Sequence, residues 1–177
     1  ISAQKITSEG INWSEQGKIV QAQVDTLNSR PTLKVCNNRI FLCWMEIQHI
    51  GKDISFRIMD TEGNFCSTDT VLVTRKGISG AVTETKVINY PDYSFVVWKD
   101  LGRISGYCLK IQKVDTQGNC LLEENGREII SNMESKHIMS LVKNNQSGGT
   151  VLFCDSIFSD NIIKAISFNS AGQIIGN

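Results

Sequence analysis

Ile58-Met59-Asp60-Thr61-Glu62-Gly63-Asn64-Phe65 and Lys113-Val114-Asp115-Thr116-Gln117-Gly118-Asn119-Cys120 are one pattern written twice. Each is an apolar run that ends in Asp, followed by two residues and then Gly-Asn. Asp at the head of such a turn accepts hydrogen bonds from the backbone just ahead, and glycine takes the positive φ of a tight hairpin. The pattern recurs as Thr7-Ser8-Glu9-Gly10 before these two and as Asn169-Ser170-Ala171-Gly172-Gln173 after them. The four glycines stand 53, 55 and 54 residues apart. A fixed period of this length is the signature of a repeat architecture.

A second marker keeps the same period. Ile40-Phe41-Leu42-Cys43-Trp44-Met45-Glu46 is answered by Phe95-Val96-Val97-Trp98-Lys99-Asp100 and by Val151-Leu152-Phe153-Cys154-Asp155, with Cys154 read as the counterpart of Trp98. These runs are apolar on both faces, so each strand needs cover from both sides. Gln16-Gly17-Lys18-Ile19-Val20 and Asn125-Gly126-Arg127-Glu128-Ile129 form a third pair, 109 residues apart. Four short strands fit into each period. In the middle unit they fall at about 82–89, 94–99, 106–114 and 120–130. That is the size of a propeller blade, and one blade cannot bury both its faces alone. The expected fold is all-β, a β-propeller-like array of four-stranded antiparallel blades, about three and a third of them. A β-trefoil or β-sandwich is the alternative. The expected units are a half blade at 1–20 and blades at 21–73, 74–130 and 131–177.

Composition limits the partners. The chain of 177 residues is 41% hydrophobic, with 18 basic and 18 acidic residues. This balance leaves no electrostatic footprint for nucleic acid or anionic lipid. No run approaches the roughly 18 apolar residues of a membrane helix, so membrane insertion is not expected either. The opening Ile1-Ser2-Ala3-Gln4-Lys5-Ile6 has no signal-peptide pattern and no initiator Met, and reads as a mature or excised segment. Of the six cysteines, most sit in or beside apolar runs and read as free core residues. Cys36 and Cys43 are the one pair placed for a local bridge across a short hairpin. There is no C-x-x-C, and His49 and His137 lack ligand spacing, so neither a metal nor any cofactor is expected.

Ile1 to Trp13, and Phe95 to Asp100 with Gly106 to Gly118 after it, resemble the repeats of large secreted bacterial β-propellers. In that family a W-x-D strand precedes a loop, and the next strand reads like I-y-A-Q-k-I before a turn glycine and a tryptophan. The resemblance spans the whole chain and implies a secreted or cell-surface location and export by the type IX secretion system. The chain departs from the pattern where the tryptophan after the turn survives only as Trp13, with Cys66 and Leu121 in its later places, and no sorting domain is present.

No phosphate loop, H-E-x-x-H or G-x-S-x-G occurs. The chain is therefore expected not to be an enzyme, but a non-catalytic binding, adhesion or scaffold segment. A protein or glycan partner and further blades, in the same or another chain, are the expected partners. The candidate ligand-binding residues lie in the segments between second and third strands, at 46–53, 100–105 and 155–161. They are Glu46, His49, Asp53, Asp100, Arg103, Asp155 and Asp160, since loops on a rigid scaffold commonly carry binding. The alternatives are a purely structural spacer, or part of a propeller enzyme whose centre is completed by another chain. The last would gather polar residues of the inner strands, such as Lys34, Lys86 and Lys143.

Overall fold

The computed structural model describes residues 1–20, 27–48, 51–66, 71–74, 82–101, 106–133, 137–157 and 160–176. All regular structure among them is β-strand. A half blade comes first, with β1 (Ser2–Ala3) paired to β4 (Lys18–Ile19) and β2 (Ile6–Thr7) to β3 (Gly10–Ile11). The next sheet runs in chain order: β5 (Leu27–Cys36), β6 (Arg39–Gln48), β7 (Gly51–Asp60) and β8 (Val71–Leu72). A second four-stranded sheet comes after it, of β9 (Thr83–Asn89), β10 (Tyr93–Leu101), β11 (Tyr107–Asp115) and β12 (Arg127–Met133). The last has β13 (His137–Lys143), β14 (Gly149–Ile157) and β15 (Asp160–Phe168), with an isolated bridge from Phe168 to Ile174. Every pairing is antiparallel.

The turns of the repeat explain the regularity. Asp115 Oδ1 accepts from the N–H groups of Gln117 (2.9 Å) and Asn119 (2.8 Å), and its Oδ2 from Asn119 Nδ2 at 2.8 Å. Asp60 does the same with Glu62 and Asn64. Asn169 reproduces the backbone part of the device with Ala171 and Gln173. One side chain thus fixes both ends of the turn, which holds the third strand in register with the returning chain.

The second strand of each four-stranded blade is buried on both faces, whereas β14 of the last blade buries Val151, Phe153 and Asp155 and leaves Leu152 and Cys154 half-buried. In β6, Phe41, Cys43 and Met45 face the β9–β12 sheet and pack with Val87, Val96 and Trp98. The alternate residues Ile40, Leu42 and Trp44 face the half blade and pack with Val20, Ala3 and Trp13. In β10, Phe95 and Val97 join Ile138, Val151, Phe153 and Phe168 of the last blade. Period-two alternation thus sends each strand into two different cores. Trp44 and Trp98 are both fully buried. Burying one such aromatic contributes on the order of 3 kcal/mol.

The register corrects one assignment. Lys110 lies opposite Trp98, and Lys164 opposite Phe153, so Phe153 and not Cys154 takes the tryptophan position in the last blade. All six cysteines are free. Cys36 lies opposite Arg39 and Cys43 opposite Thr32, so the two occupy different rungs of the hairpin and cannot bridge. Burial pushes the thiol of Cys43 up to about 12 and that of Cys108 up to about 11, which keeps both inert.

Gly126 makes a close approach as well as a turn. With φ at 77°, a Cβ there would stand 2.2 Å from the Trp98 ring and 2.8 Å from the Ile111 carbonyl oxygen. Gly10, with φ at 109°, has nothing within 4 Å. Chemical denaturation should therefore separate the two alanine variants. Gly10→Ala is expected to cost about 1–2 kcal/mol of backbone strain. Gly126→Ala is expected to cost at least about 3 kcal/mol, because the added methyl also displaces the tryptophan.

Candidate functional site

The hairpins between second and third strands are longer than the sequence suggests. Glu46 and Asp53 are strand residues paired across one hairpin, and Asp100 and Asp155 are strand residues opposite Cys108 and Ile162. These carboxylates are buried. Glu46, Asp100 and Asp155 are held within their own blades. Trp44 Nε1 donates to Glu46 Oε1 at 3.2 Å. Lys110 Nζ stands 3.3 Å from Asp100 Oδ2, and Lys164 Nζ 2.6 Å from Asp155 Oδ2. Lys110 and Lys164 come from equivalent rungs of the third strand, two residues from their carboxylates, which is the diagonal reach of a long side chain. Asp100 and Asp155 thus sit in cross-strand ion pairs within their blades, while Glu46 is held by an uncharged indole donor. Asp160 opens β15 opposite Ile157, and its side chain is outside the described residues. His49 and Arg103 lie outside the described residues altogether. The set does not converge: Glu46 and Asp53 meet, while Asp100 and Asp155 belong to two further blades.

The polar groups that do converge sit where the blades meet. The first strands are the inner ones, since β5 packs beside β9 and β9 beside β13. Each carries a register shift against its second strand: between Ser29 and Thr32 in β5, between Thr83 and Thr85 in β9, and between Ile138 and Ser140 in β13. In the first two the extra residue takes a left-handed backbone, with φ of 53° at Arg30 and 52° at Glu84. Non-glycine residues rarely accept such values, and bulges of this kind re-aim a side chain. Arg30 and Glu84 are 54 residues apart, one period.

A cleft of about 340 Å³ opens beside these bulges, lined by Arg30, Thr32, Glu84, Thr85, Lys86 and His137, with Pro31 and Ile138. Its size is at the low end of ligand pockets. Glu84 bridges two blades. Its Oε1 stands 2.6 Å from His137 Nδ1, and its Oε2 accepts from the Ile138 N–H at 2.6 Å. Burial alone would raise the Glu84 carboxyl. The bonds from Ile138 and His137, with the charges of Lys99 and His137, outweigh it and hold the group below its ordinary range. Glu84 is then ionised at neutral pH, a pure acceptor, and His137 Nδ1 must be the donor. Lys99 is pushed down by burial, up by Glu84 and down by Arg30, so these charges share one field.

Of the lysines expected at a shared centre, Lys86 lines the cleft. Lys34 is exposed, and Lys143 is exposed with its Nζ 4.9 Å from the Tyr90 ring centroid. Glu84 and Arg30 escape a motif search because their chemistry is assembled across the period. The usable signal was their spacing of one repeat at the entry to each inner strand. Among the described residues, no group of three His, Cys, Asp or Glu could hold a metal ion.

No family model matches the chain, and no curated protein matches it in sequence. Among solved structures, it is similar to the endo-arabinase from Bacteroides thetaiotaomicron VPI-5482, with a TM-score of 0.57 and 12% identity over 97% of this chain and 67% of that one. It overlaps more loosely with the GH43 endo-arabinanase from Bacillus licheniformis, at a TM-score of 0.36 and 11% identity over 81% and 75% of the two chains. The first likeness is one of fold, and with the stacked antiparallel sheets it makes the chain an all-β propeller array. It also overturns the reading as a non-catalytic binding, adhesion or scaffold segment, and the expectation that the chain is no enzyme. The architecture it shares is that of endo-arabinases, which are enzymes. The expectation rested on local motifs, whereas a propeller centre takes single residues from strands a full period apart.

The carboxylate shifts set the acid limb of stability. Asp60, Asp115, Glu84 and Glu123 all lie below their ordinary values in the folded chain. Their contribution is therefore present above the unfolded carboxyl values near pH 4 and is lost as pH falls through the folded ones. Melting temperature is expected to be flat between about pH 7 and 5 and to fall below about pH 4. Asp115→Asn keeps the backbone bonds that Asn169 already makes, so it should fold and show a shallower acid decline. An acid decline as steep as that of the parent chain would contradict this account of the turn.

Proposed function

We propose that the chain is part of a polysaccharide-cleaving propeller of the glycoside hydrolase type, with the cleft around Glu84 as its sugar-binding centre. The observation that carries this reading is the bulged carboxylate of β9, tied to β13 where three blades meet. The likeness to an endo-arabinase supports the substrate class, a glycan. Glycoside hydrolysis commonly uses two carboxyl groups, one protonated and one ionised. An ionised Glu84, held by a backbone N–H and an imidazole, suits the base, nucleophile or cation-stabilising role and not that of the proton donor. Glu84 is the one carboxylate among the described residues of the cleft lining. The acid partner in this reading comes from outside that lining.

The test is release of new reducing ends from arabinan, xylan and polygalacturonate. Cleavage of at least one is expected. Glu84→Gln, which keeps size and shape, should lower the rate by about a hundredfold or more. Asp92→Asn, on the exposed turn at the opposite end of β9 from Glu84, serves as the control and should leave the rate unchanged. An absence of new reducing ends from every polymer, or a fully active Glu84→Gln, would defeat the reading.

A further inference from the structure

The cleft carries more positive charge than its own residues neutralise. Arg30 and Lys86 both line it, and neither forms an ion pair with a carboxylate among the described residues. The carboxylate beside them, Glu84, is already engaged by Ile138 and His137. Arg30 is a solvent-exposed residue at the edge of the cleft that it lines, where a ligand can reach its guanidinium. Its backbone is held in the left-handed region by the β5 bulge, which aims the side chain from the inner strand. The lining thus offers two cations against one occupied anion, a net charge that an anionic ligand group would complete.

We propose that the cleft recognises a carboxylate-bearing sugar, so that the glycan it takes is acidic, a uronate-containing chain. This rests on the reading of the cleft as a sugar site and adds the charge class of the sugar. The planar fork of Arg30 matches a carboxylate in bidentate fashion, and Lys86 supplies a compact second charge. The Thr32 and Thr85 hydroxyls on the same walls suit the sugar's own hydroxyl groups.

Calorimetric binding of three short probes to the 177-residue chain tests this: trigalacturonate, its fully methyl-esterified form, and a sulfated trisaccharide of equal length. Trigalacturonate is expected to bind about tenfold or more tightly than the ester at low salt. That preference should shrink as NaCl is raised. Arg30→Gln and Lys86→Gln should each remove most of it, with unchanged melting temperatures showing that the variants fold. Equal affinity for acid and ester, or a preference that survives both substitutions, overturns the proposal. Tighter binding of the sulfated probe overturns the carboxylate assignment. Reducing ends measured in these samples and in parallel samples of arabinan keep the two ideas apart. Uronate binding without cleavage supports the acidic-sugar inference while removing the hydrolase reading. Cleavage of arabinan with no preference for acid over ester does the opposite.

Discussion

Two-sided burial of the second strand is the constraint on which the molecule depends. Trp44 and its alternate neighbours lean toward the half blade, and Phe41, Cys43 and Met45 lean toward the next sheet. Neither set can be buried by its own blade, whose strands lie edge to edge. Stability is then a sum over interfaces, as in other stacked repeats, and the loss of one core exposes a face of the next. The glycine turns serve the same end. A Cβ on Gly63 would press on the ring of Trp13 from the preceding blade, and one on Gly172 would press on Ile111 and Leu122. Where the chain reverses, it leaves room for its neighbour.

Polar contacts repeat on top of this apolar frame. Lys5, between β1 and β2, reaches Glu62, and Lys113 of β11 reaches the Ser170 carbonyl, each in the turn of the following blade 57 residues on. Tyr90 and Tyr93 donate their hydroxyls to the carbonyls of Gly148 and Ser147 at the blade boundary beyond them. These bonds are exposed or half-buried, so each contributes little alone. Their value is orientation. They fix the angle between blades and thereby the distance between inner strands, which sets the shape of the cleft.

The fold was legible because its signals are local. An Asp or Asn that closes a turn, a glycine with positive φ and a doubly apolar strand can each be recognised within ten residues, and their recurrence gives the period. Finer alignment failed at Cys154, because only the pairing of Lys164 with Phe153 shows which residue holds the tryptophan place. The site was legible only in part. Asp100 and Asp155 looked like loop acids at repeated positions. Whether a carboxylate at a strand end meets solvent or a cross-strand lysine depends on Lys110 and Lys164, which lie beyond the hairpin. Glu84 sits in Val82-Thr83-Glu84-Thr85-Lys86-Val87, an ordinary amphipathic strand on paper. Its importance comes from a bulge and from Ile138 and His137 of another blade, neither of which is written near it.

The bulges of the inner strands separate two demands that most strands must satisfy together. A regular strand residue is bound to its neighbours by the pleat, so changing its chemistry disturbs a core. The residue that bulges from β5 is Arg30, from β9 Glu84, and from β13, one rung further along, Met139, each outside the ladder. A cation, an anion and a thioether thus already occupy bulges of the inner strand in three copies of the same unit. Such a bulge can be rewritten blade by blade, with the stacking left intact. Descendants of one repeat could in this way diverge in what they recognise long before they diverge in how they fold.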